Sequence, residues 1–218
     1  MNLLGRISVR TKGVTRHIEL CEGDLTALSP EDSVDILVVS AFPDDYLETE
    51  TSLIGALHRS GTPVAQLAAD KAADLRSERS CWISGTLEGN RGFSRILCFE
   101  PLKNGSPPEI VDDIFDSLDQ LVLGEFRNAR IAMPVVASGN IGVPADTMLE
   151  ALLTAAVNRL RIGLPVRVIR IVEIDPGKAA ELRAVFDRFV ARHGNRIEGR
   201  PPPPAETTEF STQAPAGP

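Results

Sequence analysis

A glycine-rich segment between two prolines has the residue types and spacing best suited to chemistry. It runs from Pro134 to Pro144 as PVVASGNIGVP and connects a predicted strand to a predicted helix. Glycine lets backbone N–H groups approach a ligand closely, and the helix start adds a partial positive charge. The segment therefore suits a bound anion, although a tight connection without a ligand explains the same glycines equally well. The candidate ligand-binding residues in it are Ser138, Gly139, Asn140, Ile141 and Gly142.

A second polar segment follows an apolar run, 34–40, that has the length of a buried strand. It contains Asp44, Asp45, Glu48 and Glu50. Ligands of open α/β sheets bind where parallel strands end, and carboxylates at that edge repel phosphate groups. Three interpretations stay open: the acids face solvent, they bind sugar hydroxyls or a divalent cation that bridges them to phosphate, or the ligand carries no diphosphate. Asp44 and Asp45 are the candidate catalytic bases if the protein is an enzyme.

Hydroxyl and aromatic residues flank these acids. Thr51 and Ser52 stand where a helix should begin, so their hydroxyls either cap that helix or meet a phosphate, and capping is the simpler interpretation. Phe42 and Tyr46 either form a wall for a base or ribose or pack beneath the loop. Packing suits Phe42 better than Tyr46.

The sequence contains no recognisable metal-binding or cofactor motif, and neither a structural metal ion nor a tightly bound cofactor is predicted. Cys21, Cys81 and Cys98 are far apart and lie among apolar residues instead of in a metal-ligand spacing. Buried, reduced thiols are therefore expected. Zinc-protease, paired-cysteine and phosphate-loop motifs are absent from the sequence.

Composition limits the class of protein. A net charge of −7 and a pI near 5.1 argue against binding to nucleic acid, which depends on clusters of Lys and Arg. No apolar run approaches the roughly 20 residues of a membrane span, and the N-terminal residues lack the pattern of a signal peptide. The sequence therefore predicts a cytoplasmic protein without a membrane partner. Its preference for arginine over lysine is typical of a GC-rich bacterial source.

Strand-like and helix-like segments alternate along the chain, which predicts an α/β fold. We expect a three-layer α/β/α sandwich with a mixed, mostly parallel central sheet. The predicted strands are 6–10, 15–21, 34–40, 81–86, 95–99, 130–136 and 166–174, and the predicted helices are 51–59, 64–75, 109–122, 145–161 and 178–192.

One domain, residues 1–195, accounts for the apolar segments. Residues 196–218 are rich in proline and contain few large apolar side chains, so they are predicted to be a disordered tail. Pro201 to Pro204 could serve as a ligand for a protein partner, although a passive tail is the simpler interpretation.

Over residues 17–190 the chain resembles a divergent macro domain. A strand leads into Gly23-Asp24-Leu25-Thr26, similar to the Gly-Asp-Ile-Thr motif of that family, and residues 35–39 resemble its central strand, which Ser40 follows. The late loop of the family, Pro-x-x-x-(Ser/Thr)-Gly-x-x-Gly-x-Pro, is matched over 134–144 at the same spacing. The resemblance implies that Asp24, next to Leu25, recognises an adenine amino group and that the late loop wraps a diphosphate and the distal ribose.

Two departures from the family fall on residues that carry its chemistry. Hydrolysing macro domains have Asn-Ala-Ala-Asn after the central strand, whereas this chain has Val39 to Phe42, so that Phe42 replaces the Asn that orients the ribose. Their next loop is a run of glycines, and here it is 48–52. The sequence therefore predicts binding or sensing of an ADP-ribose-related or other nucleotide-derived ligand, with a degenerate catalytic loop. The alternatives are a hydrolase of an ADP-ribosyl or nucleotide-derived phosphate bond that uses the acidic loop, or a ligand-free interaction scaffold.

Overall fold

The fold is an eight-stranded mixed sheet with helices on both faces. A computed structural model of the protein describes residues 1–89, 91–101, 106–124, 126–136 and 143–194. Its elements, in chain order, are β1 (Asn2–Thr11), β2 (Val14–Glu22), β3 (Val34–Ser40), α1 (Leu53–Arg59), α2 (Val64–Ala69), β4 (Lys71–Asp74), α3 (Arg76–Arg79), β5 (Cys81–Ser84), β6 (Phe93–Phe99), α4 (Pro107–Gly124), β7 (Ala129–Met133), α5 (Ala145–Ile162), β8 (Val166–Glu173) and α6 (Pro176–His193).

The strand order across the sheet is β1-β2-β8-β7-β3-β6-β5-β4. The five adjacent strands β2, β8, β7, β3 and β6 are parallel to one another. Strands β1, β5 and β4 are each antiparallel to the strand beside them. The predicted mixed, mostly parallel sheet is confirmed, and β1 and β2 form an antiparallel hairpin. Because β2, β8, β7, β3 and β6 all point the same way, the segments that follow them emerge at one edge of the sheet.

The central strands are apolar on both faces because helices cover both. In β3, Ile36 and Val38 pack into the larger core cluster, and Leu37 and Val39 into the smaller one. Successive side chains of a strand point to opposite faces, so a strand buried on both sides appears as a continuous apolar run. For this reason the apolar run 34–40 predicted both ends of β3 correctly.

The two helical layers differ in size. Helices α4, α5 and α6 supply the larger cluster, and α1 and α2 supply the smaller. Between α4 and α5, Arg159 lies 2.6 Å from Asp116 and 2.9 Å from Asp119, so the acidic side of α4 is joined to its neighbour by charge. The three-layer sandwich predicted from the alternation of elements is therefore confirmed.

The predicted helix over 64–75 is wrong in its second half. Helix α2 ends at Ala69, and the next residues form the short strand β4, which pairs with β5. Alanine-rich sequence favours helix, but the pairing with β5 adds backbone hydrogen bonds that the local propensity does not anticipate. Similarly, the predicted strand over 130–136 ends at Met133, and Val135 and Val136 are buried outside it.

Both outer strands of the sheet are irregular. The pairing of β1 with β2 shifts register between Leu3 and Gly5, and that of β4 with β5 shifts between Lys71 and Ala73. At Gly5 the shift brings the backbone against the ring of Phe186 of α6, where an added Cβ would lie 2.7 Å from the ring. Glycine at this position is thus explained by a close approach.

All three cysteines are buried and unpaired, as predicted. Burial raises the pKa of Cys21 and of Cys81 to about 12, and that of Cys98 well above its ordinary value. In the described part of the chain no helix is long and apolar enough to cross a membrane. The predicted tail, 196–218, lies outside the described residues, so its disorder stays a prediction.

Candidate functional site

The edge where the parallel strands end collects most of the residues singled out from the sequence. Asp24 follows β2, Phe42 follows β3, and Glu100 follows β6. Strands β2 and β3 are separated by β8 and β7. At a usual strand spacing of about 4.8 Å, the ends of β2 and β3 are therefore about 14 Å apart. An elongated ligand would be needed to contact both.

Asp24 is held in a fixed orientation just beyond β2. The N–H of Gly23 donates to the carbonyl of Glu173 at 2.9 Å, which continues the pairing of β2 with β8 to the edge. Both the backbone N–H and the hydroxyl of Thr26 donate to Oδ1 of Asp24 at 2.7 Å. Asp24 is half-buried, and no described residue donates to its Oδ2. The side chain of Leu25 is buried in the smaller core cluster, so that only its backbone is available.

Beyond β3 the chain makes a tight turn. Ser40 is the last residue of β3 and is half-buried. The N–H of Asp45 donates to the carbonyl of Phe42 at 3.0 Å, and Asp44 within the turn has a φ of 55°. Asp is among the few residues other than glycine that adopt this left-handed conformation readily. The side chain of Phe42 is 44% exposed.

A fully buried carboxylate, that of Glu100, holds this turn from below. Its Oε1 accepts a hydrogen bond from the hydroxyl of Tyr46 at 2.5 Å and another from the indole N–H of Trp82. Its Oε2 accepts from the backbone N–H of Asp44 and from Arg76, both at 3.2 Å. A buried carboxylate is stable only when paired and hydrogen-bonded, and these four donors meet that condition.

Arg76 links the buried carboxylate to two further acids. It lies 2.6 Å from Oδ1 of Asp44 and 2.7 Å from Oδ2 of Asp74. These contacts raise the pKa of Arg76 above its ordinary value, the hydrogen bond to Asp74 contributing most, and the same bond lowers the pKa of Asp74. The positive charge of one guanidinium is therefore shared by three carboxylates. We call this group of residues the Glu100 cluster: Asp44, Tyr46, Asp74, Arg76, Trp82 and Glu100.

Three of the four acidic side chains in the 44–50 loop are bound to other groups of the protein. The carboxylate of Asp44 is bound to Arg76, and Oδ1 of Asp45 accepts the N–H of Leu47 at 3.1 Å. Glu48 lies 2.6 Å from Nδ1 of His58, and the side chain of Glu50 is exposed. Within the described residues no group of three or more His, Cys, Asp or Glu side chains could hold a metal ion. The geometry thus gives neither Asp44 nor Asp45 the environment of a general base, and their catalytic role stays untested.

The hydroxyl residues before α1 divide between two situations. Ser52 is the N-cap of α1, and its hydroxyl oxygen accepts the N–H of Gly55 at 3.0 Å, whereas Thr51 is exposed. An added Cβ on Gly55 would lie 2.0 Å from the carbonyl oxygen of Thr49, so the loop lies directly against the helix. Capping, the simpler interpretation of Ser52, matches this geometry.

The relative burial of the two aromatic residues is the reverse of the prediction. Phe42 is exposed. Tyr46, by contrast, packs edge-on against Trp82, with ring centroids 6.1 Å apart, and its hydroxyl donates a hydrogen bond to Glu100. Sequence reasoning missed Glu100, Trp82 and Arg76. The available signal was an acid placed directly after the buried strand β6, at the edge where parallel strands end.

The glycine-rich segment cannot be placed in the same way. Ser138, Gly139, Asn140, Ile141 and Gly142 all lie outside the described residues, so their predicted contacts with a ligand stay predictions. The described chain stops at Val136 and resumes at Val143, just before α5 begins at Ala145.

Tyr46 is the only tyrosine in the chain, so its titration can be observed directly. Burial, followed by the hydrogen bond and charge of Glu100, raises its pKa above the ordinary value. We expect the ultraviolet absorbance of tyrosinate to appear well above about pH 10 in the folded protein and near about pH 10 in the urea-unfolded chain. Because the folded-state pKa is the higher one, the stability that this shift contributes is present below about pH 10 and is lost as the pH rises towards the folded value. Coincident titrations of folded and unfolded chains would contradict the buried contact.

Comparison with known proteins reveals the fold but no sequence family. No protein-family model matches the chain, and no curated protein sequence matches it. Among solved structures it is similar to a mutant macrodomain from Oceanobacillus iheyensis, at a TM-score of 0.62 and 14% identity, over 86% of this chain and 98% of that one. It is also similar to the Oceanobacillus macrodomain with ADP, at 0.60 and 15% over 86% and 97%. The Trypanosoma brucei macrodomain in complex with ADP-ribose matches at 0.55 and 18% over 78% and 68%.

Proposed function

This chain has the macrodomain fold, and we propose that it binds an ADP-ribose-related, nucleotide-derived ligand at the edge where its parallel strands end. The observation that carries the proposal is the state of Asp24, whose Oδ1 is fixed by Thr26 while its Oδ2 accepts no hydrogen bond from any residue that the structure describes. A carboxylate oriented in this way is ready to accept a hydrogen bond from an exocyclic amine. Similar solved structures hold ADP or ADP-ribose, which agrees with this ligand class.

The order of the strands suits an elongated ligand that carries a different group at each end. Asp24 would read the base beyond β2, and the backbone of 138–142, which follows β7, would hold the phosphates. Ser40, Phe42 and the hydroxyl of Thr51 would line the far end, beyond β3, whereas the hydroxyl of Ser52 caps α1. Tyr46 would contribute through the turn that it supports, because its hydroxyl is bound to Glu100.

Isothermal titration calorimetry with ADP-ribose, NAD and cyclic ADP-ribose tests this function. We expect saturable heat from at least ADP-ribose or NAD. If none of the three releases heat at high protein concentration, the ligand-free scaffold becomes the better interpretation.

Asp24→Ala should weaken binding of the adenine-containing ligand by about tenfold or more, since a charge-assisted hydrogen bond is lost. The control is Asp187→Ala on α6, which removes an exposed carboxylate that pairs only with Arg183 among the described side chains. An equal affinity in the wild type and in both variants would contradict the assignment of Asp24. Thermal unfolding of each variant, followed by circular dichroism, checks that the fold is intact.

Other expectations remain predictions of the sequence. These are a cytoplasmic bacterial location, no binding to nucleic acid, and a protein partner for the proline-rich tail. No geometry favours the hydrolase over the binding module, because Asp44 is tied to Arg76 and Asp45 to the backbone of its own turn.

A further inference from the structure

The Glu100 cluster connects the buried interior of the protein to the rim of the proposed site. Two of its four donors, the N–H of Asp44 and the hydroxyl of Tyr46, come from the turn that follows β3. The other two, the indole of Trp82 and the guanidinium of Arg76, come from the antiparallel side of the sheet. The carboxylate therefore fastens a surface turn to a rigid part of the fold.

The turn has little freedom once these contacts are made. Asp44 is fixed at both ends, through its N–H to Glu100 and through its side chain to Arg76, at 2.6 Å. Phe42 and Asp45 form an isolated antiparallel bridge, and the N–H of Ala41 continues the pairing with Phe99 at 3.0 Å. The backbone that carries the phenyl ring of Phe42 is thus held on both sides, although the ring itself is exposed.

An exposed phenyl ring on a fixed backbone is suited to one kind of contact. It offers no hydrogen bond to a hydroxyl, but its face stacks against another flat ring and attracts a cationic one. Because β3 is three strands from β2, a ligand whose base lies at Asp24 would reach Phe42 with its opposite end. A free ribose at that end would gain little from the ring, whereas a second heterocycle would gain a stacking partner.

We infer that Glu100 is a positioning residue for the ligand site and that Phe42, which it fixes, is a platform for a flat ring at the far end of the ligand. The site therefore selects a dinucleotide such as NAD over ADP-ribose, which lacks the second ring. This inference rests on the proposed function, since it assigns the selectivity of the same site.

Calorimetry with NAD and ADP-ribose on four proteins tests it: the wild type, Phe42→Ala, Glu100→Gln and the double variant. The wild type should bind NAD more tightly than ADP-ribose. Phe42→Ala should weaken NAD binding by about tenfold, since stacking on an aromatic side chain has about this value, and ADP-ribose binding by a clearly smaller factor, since ADP-ribose has no second ring to stack. Glu100→Gln keeps the shape of the side chain but turns one acceptor into a donor, so the turn loosens and NAD affinity falls.

The double variant separates positioning from a general structural effect. If Glu100 acts through Phe42, Glu100→Gln should cost no further NAD affinity once the ring is gone. Additive losses, or equal losses for NAD and ADP-ribose, would overturn the inference. Binding of ADP-ribose without any preference for NAD would overturn it too while leaving the proposed function intact, whereas binding of neither ligand by the wild type would overturn both.

A second variant keeps the test decisive if Glu100→Gln does not fold. Tyr46→Phe removes one donor to Glu100 and leaves the ring against Trp82. It should lower the NAD preference in the same direction, and an unchanged preference would count against the positioning role. The emission of Trp82, the only tryptophan, reports on the cluster in each variant.

Discussion

Replacing Glu100 by Ala should lower the free energy of unfolding by about 3 kcal/mol or more, because it leaves the indole N–H of Trp82 buried without an acceptor, the hydroxyl of half-buried Tyr46 without its partner and Arg76 without one of its carboxylates. The side chain of Glu100 is fully buried, so its removal leaves these donors facing an interior cavity. Urea unfolding followed by circular dichroism measures the loss, since tryptophan emission would itself change with the mutation.

Glu78→Ala is the matched control for this prediction. Its carboxylate is 70% exposed and contacts Arg79 at 3.0 Å. An exposed pair of this kind contributes about 0 to 1 kcal/mol, so little change is expected. If Glu100→Ala were no more damaging than Glu78→Ala, the cluster would not hold the turn.

Gly55→Ala should also destabilise the protein, by about 1–3 kcal/mol, although the same change inside a helix normally stabilises it by about 1 kcal/mol. The reason is the close approach of the preceding loop: an added Cβ would lie 2.0 Å from the carbonyl oxygen of Thr49 and 3.2 Å from the carbonyl carbon of Glu48. Both atoms belong to the backbone, so no flexible side chain can move aside. The loop would have to leave α1.

Gly124→Ala separates this steric effect from helix propensity. Gly124 is the last residue of α4, and an added Cβ there meets no atom within 4 Å. We expect an unchanged or slightly higher melting temperature for Gly124→Ala and a lower one for Gly55→Ala. A higher melting temperature for both would contradict the close approach of the loop.

The layers of the fold could be predicted from the sequence because they depend on local patterns. The run 34–40 is apolar throughout, and in α4 the residues Ile110, Ile114 and Leu118 recur at helical spacing and are buried. Such patterns record which face of an element is covered. The helix predicted over 70–75 was wrong because β4 forms only by pairing with β5, and the local sequence does not reveal that partner.

The candidate site was predictable only in part, for the same physical reason. Ser52 as an N-cap follows from the residues beside it, and its partner Gly55 is three positions away. The partner of Tyr46, by contrast, is Glu100, which is 54 positions away and meets it only because β3 and β6 are adjacent in the sheet. Which of the two aromatic residues packs under the loop therefore depends on a long-range hydrogen bond that no local pattern contains.

The register shifts in the two outer strands bear on how the molecule behaves at high concentration. An open sheet can be extended by a strand of another molecule, and a bulge in the outer strand bends the unpaired N–H and C=O groups out of line. Here β1 and β4 each have such a shift, and charged side chains lie along both, Arg6 and Arg10 on one and Lys71 and Asp74 on the other. Both ends of the sheet therefore carry features that oppose the edge-to-edge growth that leads to fibres.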